Sequence, residues 1–113
     1  MKTEVFDIEI NELAGFAKVL SSPARLAILK YLSESKSCIS GDISDHLPLS
    51  RTTVSQHLKE LRTMGLIHGE IEGLKINYCL CNATITEKLK LFEAFFEPIK
   101  AATVQCDSNK PCE

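Results

Sequence analysis

The sequence predicts a mainly α-helical domain with a small β-wing, the winged helix-turn-helix arrangement. Apolar residues recur at spacings of three and four along much of the chain, which is typical of helices. A short helical segment is followed after about three residues by a long amphipathic one, as in a helix-turn-helix. Two β-like runs come next and form the predicted wing. With 113 residues, the chain has the size of one domain.

Two helices are predicted on the N-terminal side of this motif. Residues 11–21 carry an apolar stripe with helical spacing. Ser22 and Pro23 are expected to begin the second helix, because serine caps helix N-termini and proline is favoured at the first helical position. Leu26, Leu29 and Leu32 are predicted to line one side of this helix, with Ile28 and Tyr31 beside them.

The next two helices form the predicted helix-turn-helix. Ser40 is the predicted N-cap of a short helix that runs through His46. Ser50 is the predicted N-cap of a long helix over residues 51–64. Gly65 follows at the point where a helix C-terminus favours a left-handed residue.

The hairpin is predicted from two β-like runs, residues 66–71 and 75–80, with Glu72 and Gly73 in the turn between them. Cys38 is expected to lie on a very short additional strand, which pairs alongside the second run in one interpretation. Side chains alternate along a strand, so the hairpin presents two different faces.

The last helix is predicted to begin with the capping box at residues 84–87 and to run to about Ala102, with a bend at Pro98. It carries two adjacent apolar stripes, formed by Ile85, Leu89, Phe92, Phe96 and Ile99 and by Leu91, Ala94 and Phe95. One stripe can pack on its own domain, whereas the second would lie bare in a monomer. We therefore expect a domain over residues 1–104 that pairs with a second copy, and a cysteine-containing tail over residues 105–113.

The exposed side of the long helix predicts contact with double-stranded DNA. Its polar and basic side chains are Arg51, Thr52, Ser55, Gln56 and Lys59, and its apolar anchors are Val54, Leu58 and Leu61. Arginine suits guanine, glutamine suits adenine, and serine or threonine pairs with either. Lys75, near the wing tip, is expected to touch the minor groove or phosphates.

Charge and composition exclude several classes of protein. The net charge is −2, so the chain is not a globally basic nucleic-acid coat. Residues 51–75 hold four Lys or Arg against three Asp or Glu, so phosphate attraction per chain is weak. No run approaches the roughly 18 apolar residues of a membrane helix, and the mixed, acidic start predicts no signal peptide. A cytoplasmic protein without a membrane partner is expected, with its five cysteines present as thiols.

An enzyme is disfavoured. His46, His57 and His68 are expected to lie near no obvious nucleophile, and there is no glycine-rich loop to hold phosphates. We therefore expect no catalytic residue and no catalytic cofactor. Residues 51–75 carry only a small excess of positive charge. A different class of protein therefore stays open, a winged-helix module that binds only proteins and no DNA.

Several segments resemble the ArsR/SmtB family of dimeric winged-helix repressors. They are residues 49–62, Leu-Ser-Arg-Thr-Thr-Val-Ser-Gln-His-Leu-Lys-Glu-Leu-Arg, then Gly65-Leu66-Ile67, Glu72-Gly73 and Asn77-Tyr78, and upstream residues 17–29, which include Pro23-Ala24-Arg25. The resemblance covers roughly residues 11–80. It implies base-reading roles for Arg51, Thr52, Ser55 and Gln56, a structural role for His57, and a homodimer through the first and last helices. Such repressors leave operator DNA when a toxic metal or metalloid binds.

The resemblance also reduces the number of ions that are candidates for the inducer. Zinc sensors of this family use Asp and His on the last helix, and residues 84–102 contain neither. Arsenite repressors often carry Cys-x-Cys near the short third helix, and residues 39–44 lack it. The remaining ligands are thiols, which favour arsenite, another trivalent arsenical, antimonite, cadmium or cuprous copper. Cys106 and Cys112 on the tail are the predicted metalloid ligands, with a third sulfur supplied from elsewhere.

Two alternatives accompany this interpretation. In the first, Cys79 and Cys81 are predicted on one face of a strand and bind the ion there, with Cys38 as a third sulfur ligand. Cys79 and Cys81 also fit as ordinary half-buried residues that bind no ion. A redox switch through Cys106 and Cys112 would use the same DNA chemistry with oxidation as its trigger.

Overall fold

The computed structural model describes residues 6–35, 43–72 and 75–102, and for residues 70–72 and 75 the backbone alone. Over these residues it has helices α1 (Ile8–Leu20), α2 (Pro23–Ser35), α3 (Arg51–Thr63) and α4 (Asn82–Ala101), with a short 3-10 helix (Ile43–His46) before α3. Strands β1 (Ile67–Glu72) and β2 (Lys75–Leu80) form one antiparallel hairpin between α3 and α4. This is the predicted mainly α-helical fold with a small β-wing.

Helix α1 begins three residues before the predicted start at Asn11. The carboxylate of Asp7 accepts a hydrogen bond from the backbone N–H of Ile10 at 2.9 Å and so caps the helix. Asparagine at position 11 is therefore inside the helix, where its side chain donates back to the carbonyl of Phe6. The apolar stripe indicated the helix but not its cap.

Helix α2 begins as predicted. The hydroxyl of Ser22 accepts a hydrogen bond from the backbone N–H of Arg25, and Pro23 is the first helical residue. The inner side, however, is centred on Ile28 and Leu32, which are buried. Leu26, predicted on the same side as Leu32, is 49% exposed and therefore does not share the buried side with it.

Helix α3 begins at Arg51 as predicted and ends at Thr63, one residue before the predicted end. The Ser50 hydroxyl accepts a hydrogen bond from the backbone N–H of Thr53. At the other end, Gly65 has a φ of 83°, and the N–H groups of Gly65 and Leu66 donate to the carbonyls of Arg62 and Leu61. This is the Schellman arrangement, which satisfies the last carbonyls of a helix and turns the chain into the hairpin. The predicted cap of the preceding short helix, Ser40, lies outside the described residues.

The hairpin differs from its prediction by one residue. Glu72 is the last residue of β1 and pairs with Lys75, so the connection consists of residues 73–74 rather than Glu72 and Gly73. In this register His68 is opposite Cys79, and Ile67 is opposite Leu80. The proposed strand at Cys38 lies outside the described residues.

Helix α4 begins at Asn82, so the predicted capping box at 84–87 is wrong. The N-cap is Cys81, whose side chain makes no capping hydrogen bond. The backbone N–H of Ile85 donates to the carbonyl of Cys81, which starts the helix directly after β2. Pro98 lies inside the helix, which ends at Ala101.

One apolar core joins these elements. Its buried members are Phe16, Val19, Ile28, Leu32, Ile43, Val54, Leu58, Leu61, Leu66 and Ile67. Helix α4 packs against it through Ile85 and Phe92, and the ring of Phe92 lies 5.4 Å from that of Phe16 on α1. The core therefore fixes α3 and the start of the hairpin relative to α1 and α2. Among the described helices, none is long and apolar enough to cross a membrane.

Candidate nucleic-acid interface and thiol cluster

Helix α3 presents a polar face above a buried apolar one. Val54, Leu58 and Leu61 are buried in the core, as predicted. The five side chains predicted to meet DNA are all exposed: Arg51, Thr52, Ser55, Gln56 and Lys59. Arg51 and Thr52 lie in the first turn, next to the Ser50 cap. The first two turns of the helix thus carry hydrogen-bonding groups of the types that distinguish base pairs in the major groove.

The wing is attached to the end of α3 by backbone hydrogen bonds. Leu66 follows the Schellman turn, and its carbonyl accepts a hydrogen bond from the N–H of Cys81 at 2.9 Å. Lys75, the predicted wing contact, is the first residue of β2 and pairs with Glu72. Its side chain is outside the described part of the molecule, so its contact with DNA stays a prediction.

Arg25 of α2 links this helix to α1 and α3. Its Nε donates to Nδ1 of His57 on α3 at 3.2 Å. Its Nη1 contacts the carbonyls of Val19 and Lys18 at the end of α1, at 3.2 and 3.4 Å. His57 is half-buried and accepts this bond, which gives it a structural role. The contact ties the middle of α3 to the end of α1.

A second surface, on α4 and α1, is apolar. No residue of α4 is buried, and Leu89, Phe96 and Ile99 are exposed. Ile8 and Ile10 of α1 are exposed as well. A groove between the two helices is lined entirely by apolar residues, namely Ile10, Leu13, Ala14, Ala17, Phe92, Phe95 and Phe96. Exposed apolar surface of this extent is typical of an interaction face.

Two of the five cysteines, Cys79 and Cys81, lie in the described part of the chain. Cys38, Cys106 and Cys112 lie outside the described residues, so the predicted metalloid ligands stay predictions. Cys79 is disulfide-bonded, which contradicts the expectation that all five cysteines are thiols. Cys81 is a free thiol and half-buried.

Cys81 also has a partner that sequence reasoning missed. Its Sγ lies 3.1 Å from Nδ1 of His68, an exposed residue of β1. The expectation that no histidine lies near a nucleophile is therefore wrong for His68. Only the hairpin register brings these side chains together, since they are 13 residues apart. Within the described ranges, no three His, Cys, Asp or Glu side chains are assembled for a metal ion.

Residues 22–68, which include the helix-turn-helix, match the model of the family described as bacterial regulatory protein, arsR family. The transcriptional regulator CmtR of Mycobacterium tuberculosis is 30% identical over 102 residues, which are 90% of this chain and 80% of the relative. An NMR structure of the cadmium metal-sensor CmtR of that organism has 29% identity and a TM-score of 0.51, with 89% of this chain and 96% of that chain covered.

Two further solved structures share the fold. An ArsR-like transcriptional regulator from Rhodococcus sp. RHA1 has a TM-score of 0.68 and 26% identity, covering 80% of this chain and 85% of that chain. Reduced HlyU from Vibrio cholerae N16961 has a TM-score of 0.59 and 27% identity, covering 77% of this chain and 90% of that chain. The relatives are regulators rather than enzymes, which confirms the prediction against an enzyme.

Proposed function

The chain belongs to the arsR family of bacterial transcriptional regulators, and we propose that it is a cytoplasmic, dimeric repressor that binds double-stranded operator DNA and leaves it when a thiophilic ion binds. The observation that carries this proposal is that α3 has one buried apolar face and one exposed polar face. Three buried side chains hold the helix, and five exposed ones form a polar row on its outer side. A helix held in this way can enter the major groove without unfolding any of the core.

The side chains of the row have separate roles in this proposal. Arg51 donates two hydrogen bonds to a guanine edge, and Gln56 pairs with an adenine edge. Thr52 and Ser55 make shorter contacts to bases or phosphates, and Lys59 contacts a phosphate. Lys75 contributes a wing contact in the adjacent groove.

The homodimer in this proposal forms through the apolar surface of α1 and α4. One chain offers few cations to the phosphates, because its net charge is −2. Two copies double the contacts and match a two-fold operator. Burial of the exposed α4 side chains supplies the association energy, at about 25 cal/mol for each Å² of apolar area removed from water.

The inducer is proposed to be arsenite, or another trivalent arsenical or antimonite, bound by Cys106 and Cys112. Both cysteines follow α4 in the sequence, so an ion held there acts next to the dimer-forming helix. Soft thiolates suit these metalloids and also suit cadmium, the ion for which the CmtR metal-sensor is named. Cadmium is therefore the alternative candidate for the inducer.

Release requires that ion binding and DNA binding favour different arrangements of the dimer. A coupling of about 1–3 kcal/mol is typical, and it acts equally in both directions. Arg25 offers a physical connection, because it joins the carbonyls at the end of α1 to His57 in the middle of α3. A change in the dimer at α1 is thereby passed to the recognition helix.

The test is release of the protein from the DNA upstream of its own gene, measured by gel shift with arsenite, antimonite, methylarsenite, cadmium, zinc and peroxide. Arsenite is expected to release the wild-type chain and to leave the Cys106→Ser/Cys112→Ser variant bound. Release of that variant at the same arsenite concentration would eliminate the tail site. Calorimetry that finds equal arsenite affinity with and without operator DNA would contradict the coupling.

A redox-responsive repressor is the second candidate, and the disulfide at Cys79 favours it. The solved structure of reduced HlyU has the same fold. In this case peroxide releases the protein from DNA, a dithiol restores binding, and arsenite has no effect. Cys79→Ser would then stay on the operator in the presence of peroxide.

A further inference from the structure

We propose that protonation of His57 weakens operator binding, because Arg25 holds α3 in its DNA-binding position only through a neutral His57 ring. Acid then acts as a second release signal, separate from the thiophilic ion. This inference rests on the proposed repressor function and names a regulation of the same helix. Both side chains are half-buried, and His57 follows exposed Gln56 on α3. Arg25 and His57 are therefore positioning residues that do not themselves contact DNA.

The hydrogen bond between Arg25 and His57 requires a particular proton state of the imidazole. Nε of Arg25 donates to Nδ1 of His57 at 3.2 Å. A guanidinium has donors and no acceptor, so Nδ1 carries a lone pair and the proton of the neutral ring is on Nε2. Protonation puts an N–H group and a positive charge at Nδ1, opposite another donor and another positive charge. The contact is therefore made by the neutral ring and lost by the charged one.

Arg25 is held in place independently of His57. Its Nη1 donates to the carbonyls of Val19 and Lys18 at the C-terminal end of α1, at 3.2 and 3.4 Å. A cation is favoured there because the last carbonyls of a helix carry partial negative charge. When the two positive charges separate, the guanidinium therefore stays with α1 and α3 moves away from it. Since N–H···O bonds have a narrow range of about 2.7–3.2 Å, a small displacement of Gln56 lowers operator affinity.

The surroundings of His57 offer the charged ring no carboxylate partner among the described side chains. Helix α3 packs against α2, the 3-10 helix and β1. Within the described part of the chain, Arg25 is the single hydrogen-bond or ion-pair partner of His57. A charged ring is therefore left with the repulsion from Arg25. The other charged or titratable residues of these elements are Lys30, Tyr31 and Glu34 on α2, Asp45 and His46 on the 3-10 helix, His68, Glu70 and Glu72 on β1, and Arg51, Lys59, Glu60 and Arg62 on α3.

The other two histidines of the chain make different contacts. The ring of His46 stacks on that of Tyr31, with centroids 5.0 Å apart and an interplanar angle of 23°. Nδ1 of His68 lies 3.1 Å from Sγ of Cys81. Protonation of either ring adds positive charge to a chain with a net charge of −2, which strengthens its attraction to DNA phosphates. Loss of operator affinity in acid is thus opposite in sign to the general electrostatic effect, and it identifies a specific contact such as that of His57.

The experiment measures operator affinity by fluorescence anisotropy at about pH 7.5 and about pH 5.5, without added metal or metalloid, because histidine changes its charge in this range. We expect the dissociation constant of the wild-type chain to rise in acid by at least about fivefold, the lower limit of typical couplings. His57→Asn keeps an acceptor, since Oδ1 of asparagine is bonded to Cγ as Nδ1 is, but it does not titrate here. This variant is expected to bind the operator at about pH 7.5 and to lose the weakening in acid.

His46→Asn and His68→Asn are the matched controls, and both should keep the weakening in acid. Loss of the weakening in either control would assign the effect to that histidine and overturn the proposal. Wild-type affinity that is equal or higher in acid would overturn it too, as would His57→Asn that weakens like the wild type. Circular dichroism and sedimentation of each variant at both pH values follow its folding and its dimerisation.

A second measurement needs no DNA. Nitrogen-15 NMR of the imidazole rings at about pH 7.5 reports which ring nitrogen carries the proton, and the signals missing from His57→Asn identify His57. We expect the proton on Nε2. A proton on Nδ1 would exclude the bond from Arg25 and overturn the proposal. A wild-type chain that binds no operator at either pH would contradict the repressor function itself, whereas binding that does not depend on pH would contradict only the link to protonation.

Discussion

Helices α3 and α4 each leave one face exposed, and the two faces are chemically opposite. Helix α3 exposes charged and hydrogen-bonding side chains above a buried apolar side. Helix α4 buries no residue completely and leaves Leu89, Phe96 and Ile99 exposed by 46%, 43% and 53%. A polar face suits base edges and phosphates, whereas an apolar face suits another protein surface. In the proposed function, α3 supplies the DNA contacts and α4 sets the spacing of the two copies.

The largest expected effect comes from the buried side of α3. Leu61 is 0% exposed, so Leu61→Ala removes a core side chain and is expected to lower the free energy of unfolding by about 2–5 kcal/mol. Denaturant unfolding measures this loss. Lys59→Ala, on the exposed face of the same helix, is the control and should change stability by less than about 0.5 kcal/mol. Equal losses of unfolding free energy in the two variants would mean that α3 does not have one buried and one exposed face.

The next effect concerns the apolar face of α4. Phe96→Glu places a charge in the proposed interface and is expected to weaken dimerisation by about 30-fold or more, the size of an interface hot spot. Sedimentation equilibrium measures the dissociation constant. Lys90→Glu changes an exposed, already polar position of the same helix and should leave the dimer intact. A Phe96→Glu chain that remains as dimeric as the wild type would assign this face to a different partner.

The polar face of α3 is tested with Arg51→Ala and Gln56→Ala. Each is expected to lower operator affinity by about 1–3 kcal/mol, or about 5–150-fold, because each removes a two-point base contact. Fluorescence anisotropy with the operator and with base-substituted duplexes separates loss of affinity from loss of specificity. The thermal midpoint should stay within a few degrees of the wild type, since both side chains are exposed. Unchanged affinity in both variants would remove these residues from the interface.

The smallest effect comes from the helix ends. The hydroxyl of Ser50 caps α3, whereas the Cys81 side chain makes no capping bond to α4. Ser50→Ala is therefore expected to cost about 1 kcal/mol of stability. Cys81→Ala should cost less than about 0.5 kcal/mol, as measured by the same denaturant unfolding. A larger loss in Cys81→Ala would show that its contact with His68 stabilises the fold in the absence of any ion.

Local signals predicted α3 and its ends well. The signals were the Ser50 cap, the apolar spacing through Leu61 and the left-handed Gly65. Each acts within one helix or at its ends, so the structure that it predicts depends on few distant residues. The predicted start of α4 was wrong because the start depends on the preceding strand and not on the helix sequence alone. The Thr-Ile-Thr-Glu sequence at 84–87 satisfies a capping box, but the carbonyl of Cys81 at the end of β2 already accepts the bond that begins the helix.

The contact between His68 and Cys81 was beyond sequence reasoning because it depends on register. The predicted strand ends left the pairing uncertain by one residue, and a shift of one residue would place a different side chain opposite His68. The disulfide at Cys79 was likewise missed, because an odd number of cysteines and an expected reducing compartment predicted thiols. The polar face of α3 could be predicted from residue types alone, whereas the contact between His68 and Cys81 required the folded hairpin.

The most direct measurement is the stoichiometry and sequence dependence of the complex with the DNA upstream of the protein's own gene, by sedimentation or native mass spectrometry. We predict two chains per operator, with the complex lost in Phe96→Glu and weakened in Arg51→Ala and Gln56→Ala. A single chain bound with the same affinity, or no salt-dependent binding of that DNA at all, would contradict the assignment of α3 to DNA and α4 to the second copy. The second of these results would favour a winged-helix module that binds only proteins.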